Sequence, residues 1–170
     1  MAESILNTKR VLAVDDEPDV LDVLEDEILA YAPNCVIEKA TSYQQATEKM
    51  ESQSYDVVVL DIMGVRGFEL LEQAGKRNFP AAMLTAHSLN PESLKRSIEM
   101  GARSYLPKEK LGEIVPFLED ILEEADGLLG WGGLLNKLEG YFTSRWGEFW
   151  KKSEEKFWKD FEKKTSRTKK

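Results

Sequence analysis

The feature that most constrains the fold of this chain is the apolar run Val57–Leu60, which Asp61 follows directly. A continuous run of β-branched and aliphatic residues is typical of a strand that is buried on both faces, as in a parallel sheet. A carboxylate at the end of such a strand is costly to bury unless its charge is used. Because ligands bind at the carboxyl ends of the strands in open parallel sheets, Asp61 is predicted to be a functional residue.

Strand and helix patterns alternate five times along the first 125 residues. The other short runs that predict strands are Arg10–Val14, Val36–Ala40, Ala81–Leu84 and Ser104–Leu106. Apolar residues at helical spacing follow each of the five strands, so five helices are predicted. Regular alternation of this kind predicts an α/β fold in which helices cover both faces of a five-stranded parallel sheet.

The charge of the chain is divided unevenly between its two parts. Residues 1–125 include 12 basic and 24 acidic residues, whereas residues 126–170 include 11 basic and 7 acidic residues and all four tryptophans. Such asymmetry predicts two segments with different roles. The single cysteine, Cys35, fits a reducing compartment. Because there is also no signal-peptide pattern and no apolar stretch of roughly 20 residues, a cytoplasmic location is predicted.

Polar side chains follow four of the five predicted strands. The first strand is followed by Asp15 and Asp16, the third by Asp61, the fourth by Thr85 and the fifth by Lys108. Any one of the acids could be a helix cap, but capping does not explain five polar groups at one sheet edge. Three close carboxylates repel one another, and such oxygen ligands favour Mg²⁺. With a lysine and a hydroxyl as donors, the set predicts a carboxylate nucleophile for phosphoryl transfer.

On these residues, positions 9–125 resemble the receiver domain of bacterial response regulators in two-component systems. The resemblance implies a flavodoxin-like sheet of order 2-1-3-4-5. It implies that a histidine kinase or phosphotransfer protein phosphorylates Asp61, with Lys108 pairing with the phosphoryl group. It also implies that Asp16, Asp61 and the backbone carbonyl of Met63 bind Mg²⁺ directly, while Asp15 holds the ion through water.

The resemblance further implies a conformational switch at the end of the fourth strand. Thr85 would move to bond the phosphoryl group, and Tyr105 would turn inward as it does so. His87 and Met63 lie where the family tunes the lifetime of the phosphorylated state. The resemblance implies a phosphorelay protein rather than an enzyme. Such a protein signals through the surface formed by its fourth helix, fifth strand and fifth helix. This surface contacts either a partner protein or a second copy of the chain.

Two departures from the family pattern keep an alternative open. The segment from Asp61 to Gly67 is two residues shorter than usual, and Pro107 precedes Lys108 instead of following it. The isomer of the Leu106–Pro107 bond is therefore left open. The alternative is a pseudo-receiver, a constitutive interaction module that does not switch. An aspartyl phosphatase fits less well, because such enzymes need a D-x-D pattern where this chain has D-D-E.

We divide the chain into a lead (1–8), a receiver domain (9–129) and a tryptophan-rich amphipathic helical extension (130–170). Glycines at 127, 130, 132 and 133 are expected to interrupt any helix there. Beyond them an apolar stripe at helical spacing runs from Leu134 to about Lys164. Charged residues at three heptad core positions argue against a long coiled coil. A single long helix also provides no helix-turn-helix pair, so no nucleic-acid partner is expected.

The extension is predicted to dock on a protein through its apolar stripe. Its partner is the receiver domain of the same chain, a second copy, or another protein that receives the signal. The alternative is contact with an anionic membrane surface, with aromatic residues facing the lipid and lysines facing water.

Overall fold

The computed structural model describes residues 3–123 and 127–167. A short 3-10 turn, Ile5–Thr8, leads into the first strand. The strands are β1 (Arg10–Val14), β2 (Val36–Ala40), β3 (Val57–Asp61), β4 (Ala81–Thr85) and β5 (Ser104–Pro107). The helices that follow them in turn are α1 (Pro18–Tyr31), α2 (Tyr43–Ser52), α3 (Gly67–Lys76), α4 (Pro91–Glu99) and α5 (Ile114–Glu123).

All strand pairs are parallel, and the strand order is β2-β1-β3-β4-β5. The predicted flavodoxin-like fold is therefore confirmed. Every residue of β3 and β4 is buried, as expected for central strands covered on both faces. The register places Asp61 opposite Leu84 and Thr85 opposite Pro107. The carboxyl ends of the central strands therefore lie at one level, so the residues that follow them face the same edge.

Local sequence signals fix the starts of several helices. Pro18 and Pro91 occupy the first turns of α1 and α4, where a missing backbone N–H costs nothing. The side chain of Asn90 accepts a hydrogen bond of 2.7 Å from the amide of Ser93 and caps α4. Ser42 caps α2 in the same way through the amide of Gln45. These caps hold the helices that flank the functional edge.

The glycines near residue 130 do not interrupt a helix, so that expectation was wrong. Helix α6 (Gly127–Trp146) runs straight through them and spans the boundary that we placed between 129 and 130. Each glycine costs a helix only about 1 kcal/mol relative to alanine. Burial of the large apolar side chains of α6, Trp131 and Phe142 among them, outweighs that cost. The division of the chain into domains stays a prediction.

The extension contains two helices rather than the single one predicted. Helix α6 ends at Gly147, which has a φ of +91° and donates its amide to the carbonyl of Thr143 at 2.8 Å. This left-handed glycine is a helix C-terminal cap, and it reverses the chain. After a 3-10 turn, Lys152–Glu154, helix α7 (Glu155–Arg167) packs back on α6. We refer to residues 127–167 as the C-terminal hairpin.

The hairpin docks on the receiver domain of its own chain. Trp131 is buried, and its indole N–H donates to the carbonyl of Ala102 at 2.8 Å. Phe142 is also buried and contacts the ring of Tyr105 edge to face. Five aromatic residues of the hairpin are buried, against the receiver domain or against one another: Trp131, Phe142, Trp150, Trp158 and Phe161. These rings are therefore used within the chain, which favours protein docking over the membrane alternative.

None of the helices in the described ranges combines the length and apolarity that crossing a bilayer requires.

Candidate functional site

The structure brings together the three carboxylates that the sequence singled out. Asp15 and Asp16 follow β1, and Asp61 ends β3, so neighbouring parallel strands deliver them to one edge. Each offers an oxygen atom that lies within 4.8 Å of the other two. Asp15 and Asp61 are buried, whereas Asp16 is exposed to solvent. One side of the cluster is thus closed by the protein and the other is open to a ligand.

Lys108, the first residue after β5, inserts its ammonium group into this cluster. Its Nζ lies 2.8 Å from Asp15 and 3.3 Å from Asp61, and the side chain is only 11% exposed. It also lies 3.1 Å from the carboxylate of Glu17. The described residues contain no cis peptide bond, so the bond before Pro107 is trans, and Lys108 reaches the cluster with this geometry.

Sequence reasoning missed the role of Glu17. This residue is the third acid of the D-D-E run after β1, and its backbone N–H donates to the carboxylate of Asp15 at 2.9 Å. That hydrogen bond turns the chain so that the Glu17 side chain meets Lys108. The signal available in the sequence was the acid itself, directly after Asp15 and Asp16.

The two buried acids of the cluster, Asp15 and Asp61, have raised pKa values and are therefore reluctant to ionise. Burial and, after it, the charge of Asp15 raise the pKa of Asp61 to about 7, against the opposing effect of Lys108. Burial also raises the pKa of Asp15, although Lys108 and the Glu17 amide both hydrogen-bond to it. Burial alone would lower the pKa of Lys108, but its hydrogen bond to Asp15 and its other acidic contacts outweigh that effect and raise it.

The cluster therefore needs more positive charge than Lys108 supplies. Three carboxylates within reach of one another are hard oxygen donors, and one of them faces solvent. This donor set fits Mg²⁺, which binds few carboxylates and keeps several of its waters. Met63 lies in the loop just after β3 and is 53% exposed, and the role of its backbone carbonyl stays a prediction.

The short loop between β3 and α3 is tight against the site. Gly64 has a φ of +88°, and a Cβ atom there would lie 2.5 Å from the carboxylate of Asp16. A Cβ atom at Gly67 would lie 2.2 Å from the backbone oxygen of Asp61. Arg66 adopts the left-handed conformation between them. The shortened segment thus keeps the acidic cluster intact by using glycines where the backbone approaches the acids.

Thr85 ends β4 and is buried at the same edge. Its Oγ1 atom accepts a hydrogen bond of 3.1 Å from the amide of Ser88, which leaves its own O–H free to donate. His87 is exposed in the turn that follows β4. The roles of Thr85 as a phosphoryl contact and of His87 in tuning stay predictions.

Tyr105 points into the protein from β5. Its side chain is fully buried, and its hydroxyl lies 2.7 Å from Oγ of Ser93 on α4. Burial raises the pKa of this phenol to about 12. The resemblance implied that Tyr105 turns inward during switching, and in this structure it already faces inward beneath Phe142.

A flavodoxin-like parallel sheet with an acidic cluster, a buried threonine and a lysine at the carboxyl ends of its strands defines a receiver-type α/β domain. A model of the response regulator receiver domain matches residues 11–118, which is more than half of the chain. The chain therefore belongs to the response regulator receiver domain family, as the sequence predicted.

Curated relatives resemble this chain over the same region. The two-component response regulator ARR18 of Arabidopsis thaliana is 36% identical over 103 residues, which is 58% of this chain and 16% of that protein. The alkaline phosphatase synthesis transcriptional regulatory protein PhoP of Bacillus subtilis (strain 168) is 29% identical over 104 residues, covering 59% of this chain and 42% of PhoP. The chain thus matches less than half the length of these relatives. Because they include plant proteins, the bacterial origin that we expected stays a prediction.

Solved structures support the same fold. A CheY-like receiver domain protein from Methanospirillum hungatei JF-1 aligns with a TM-score of 0.57 and 26% identity, covering 68% of this chain and 96% of that one. A response regulator from Thermotoga maritima aligns with a TM-score of 0.62 at 18% identity, covering 69% of this chain and 99% of that one. The family match ends at residue 118, before the C-terminal hairpin.

Proposed function

We propose that this protein is a phosphoacceptor receiver of a two-component phosphorelay, phosphorylated on Asp61 and signalling through protein contacts. A histidine kinase or a phosphotransfer protein donates the phosphoryl group. The observation that carries the proposal is the position of the buried Asp61 carboxylate, 3.3 Å from Lys108 within a cluster of three acids. The protein works in the cytoplasm and catalyses only its own phosphorylation and dephosphorylation.

The chemistry is an in-line displacement at phosphorus. A carboxylate oxygen of Asp61 attacks the phosphohistidine of the donor, so that an O–P bond forms while the P–N bond breaks and the histidine leaves. Lys108 moves from its carboxylate partners to an oxygen of the transferred group, because that group brings new negative charge. The O–H of Thr85 donates to a second oxygen.

Asp15, Asp16, Asp61 and the backbone carbonyl of Met63 are the groups that would hold Mg²⁺. When bound, the ion supplies positive charge against the phosphoryl oxygens. The protein contributes the fixed position of the acids at two strand ends. The raised pKa of Asp61 supports this assignment, because a nearby cation favours the ionised carboxylate that acts as nucleophile.

Phosphorylation with a small donor tests the proposal. The protein is incubated with acetyl phosphate and Mg²⁺, and its intact mass is measured. The wild type and Asp56→Asn should each gain one phosphoryl group, whereas Asp61→Asn should gain none. Asp56, the residue just before β3, is a suitable control because it lies outside the acidic cluster. Its carboxylate instead accepts a hydrogen bond from the backbone N–H of Arg10. An unmodified wild type, or equal modification of Asp61→Asn, would contradict the proposal.

A pseudo-receiver is the second candidate, and one observation favours it. Lys108 already contacts three carboxylates, those of Asp15, Glu17 and Asp61, and must release them to meet a phosphoryl group. A constitutive module would keep these ion pairs permanently. Titration with Mg²⁺, followed by amide resonances, separates the two candidates. Saturable binding that is lost in Asp16→Ala supports the working receiver, whereas absence of binding supports the pseudo-receiver.

The output of the receiver is contact with a protein partner. The C-terminal hairpin covers the face formed by α4, β5 and α5, so a partner or a second copy meets the hairpin there instead of the bare face. Lys95 on α4, for example, pairs with Glu154 of the hairpin at 3.1 Å. We therefore assign the hairpin, together with this face, as the surface through which the signal leaves the molecule.

A further inference from the structure

The hairpin contacts the switch tyrosine through one ring. Phe142, which is fully buried, meets Tyr105 edge to face with ring centroids 6.0 Å apart. Phe142 also stacks on Trp146, with the two rings nearly parallel and their centroids 4.5 Å apart. Tyr105 cannot turn outward into the space that Phe142 fills, because interiors are close-packed and both rings are fully buried. The hairpin therefore holds Tyr105 inward.

The same stack reaches the loop after β4. The indole N–H of Trp146 donates to the carbonyl of Leu89 at 3.3 Å. One residue earlier, the amide of Ser88 donates to Thr85 at the site edge. The loop is therefore held from both sides, by the hairpin at Leu89 and by the site threonine at Ser88.

A second contact lies beside the site lysine. Glu109 follows Lys108 in the chain, and its carboxylate accepts hydrogen bonds from Tyr141 at 3.0 Å and from Arg145 at 2.8 Å. Both donors belong to α6. Lys108 thus has an immediate neighbour that the hairpin binds, whereas Thr85 is reached through Ser88, which is next to the hairpin-bound Leu89.

We propose that the C-terminal hairpin is a built-in effector that pre-organises the Asp61 site and so increases its affinity for a phosphoryl group. The proposal rests on the proposed phosphoacceptor function. Without the hairpin contacts, binding must order the loop after β4, Tyr105 and the segment at Glu109, and this ordering costs free energy. When the hairpin contacts are formed, folding has already ordered these segments, so most of that free energy is not needed at the binding step. By linkage, a phosphoryl group must then stabilise the docked hairpin by the same factor.

Beryllofluoride, a phosphoryl mimic, tests the proposal by calorimetric titration of the full chain with Mg²⁺ present. Trp146→Phe removes the indole donor to Leu89 while keeping a ring on Phe142. Trp150→Phe is a matched control, because it removes an indole hydrogen bond of the same 3.3 Å length to Thr143 within the hairpin. Trp146→Phe should bind beryllofluoride about two- to fivefold more weakly than the wild type, since a neutral hydrogen bond is lost. Trp150→Phe should bind it as the wild type does.

A second pair of variants uses exposed groups, whose substitution leaves folding intact. Glu109→Gln weakens the contacts to Tyr141 and Arg145 beside the site. Asp120→Asn weakens a comparable surface contact, from Lys137 at 3.1 Å, that links the hairpin to α5. We expect about a twofold loss of beryllofluoride affinity in Glu109→Gln and no loss in Asp120→Asn. Hydrogen exchange of the α6 and α7 amides in the wild type should become slower when beryllofluoride is added.

The outcomes separate this inference from the proposed function. If the wild type binds beryllofluoride but Trp146→Phe and Glu109→Gln bind it equally well, the hairpin does not pre-organise the site. Tighter binding by these variants would also overturn the inference, since the hairpin would then restrain the site. If the wild type shows neither binding nor an acetyl phosphate adduct, the phosphoacceptor function is wrong and the inference falls with it.

Discussion

The ammonium group of Lys108 lies 3.3 Å from the carboxylate of Asp61, although 46 positions separate the two residues in the sequence. The pair forms because β3 and β5 are parallel and end at the same edge of the sheet, with β4 between them. Lys108 is the positive charge that makes two buried acids tolerable, since it also contacts Asp15 at 2.8 Å. The lysine that we propose as the phosphoryl ligand is thus already a structural partner of the two buried acids.

Replacing Lys108 should therefore destabilise the fold as well as the site. Lys108→Met keeps the length of the side chain but leaves Asp15 and Asp61 without their cation. We expect the free energy of unfolding at pH 7.5 without Mg²⁺ to fall by about 3 kcal/mol, as for other broken buried pairs. Urea unfolding measures the change, and addition of Mg²⁺ should restore part of the loss.

Lys76→Met is the control for the loss of a lysine. In the wild type, the ammonium group of Lys76 pairs with Glu72 at 3.3 Å on the exposed side of α3. We expect this variant to lose less than about 0.5 kcal/mol, because surface ion pairs contribute little. Equal stability of Lys108→Met and the wild type would mean that the buried acids do not depend on this lysine.

The raised pKa of Asp61 predicts how stability depends on pH. The folded protein keeps a proton on Asp61 up to about pH 7, whereas the unfolded chain releases it near the usual value of 3.8. The stability that comes from the protonated form is therefore fully present below about pH 4 and is lost as pH rises through 7.

Asp61→Asn tests this prediction, because it removes the charge that becomes costly at high pH. Without Mg²⁺ it should be more stable than the wild type by about 1–3 kcal/mol at pH 8, and the difference should shrink towards pH 5. Denaturant unfolding at a series of pH values gives the comparison. A difference between the two proteins that stays constant with pH would show that burial of Asp61 does not shift its titration.

The loop beside Asp61 gives a prediction with a close internal control. Gly67→Ala places a methyl group 2.2 Å from the backbone oxygen of Asp61, so the loop must shift. We expect a loss of about 2–3 kcal/mol and weaker binding of Mg²⁺. Gly75→Ala lies in the same helix with open space around its Cβ position, and it should stabilise the protein by about 0.5–1 kcal/mol. Thermal unfolding with and without Mg²⁺ compares the two variants, and equal melting temperatures would contradict the tight packing at Gly67.

The sequence was sufficient for the sheet and for the convergence of the site. A strand with a continuous apolar run, such as Val57–Leu60 of β3, has few alternatives to burial in a parallel sheet. Parallel topology then brings Asp15, Asp61, Thr85 and Lys108 to one edge. It was insufficient for contacts that depend on side-chain direction, such as Glu17 meeting Lys108. No pattern of spacing determines which of several nearby acids a flexible lysine side chain contacts.

The C-terminal hairpin shows a different limit of sequence reasoning. Helix propensity alone favours a break at the glycines near 130, but tertiary burial of Trp131 and its neighbours outweighs that local preference. Gly147 could end a helix or lie within one, and only the packing of α7 on α6 decides between these outcomes. The aromatic stripe predicted docking, whereas the identity of the docking face required the three-dimensional structure.

The reversal at Gly147 gives the last prediction. Its φ of +91° is costly for any residue with a Cβ atom, and alanine also favours continuation of α6. Gly147→Ala should therefore destabilise the hairpin by about 1–2 kcal/mol and loosen the packing of α7 on α6. The contact between the rings of Trp150 and Trp158, whose centroids lie 5.1 Å apart, would be the first to weaken.

Hydrogen exchange and tryptophan fluorescence measure this loosening in the full chain. Gly140→Ala is the control, because Gly140 lies within α6 with open space around its Cβ position, and it should stabilise the helix by about 0.5–1 kcal/mol. We expect the amides of α7 to exchange faster in Gly147→Ala than in the wild type. In Gly140→Ala the exchange of α7 should be unchanged. If α7 is equally protected in both variants, the hairpin does not depend on a left-handed residue at 147, because its aromatic contacts alone are sufficient to hold the reversal.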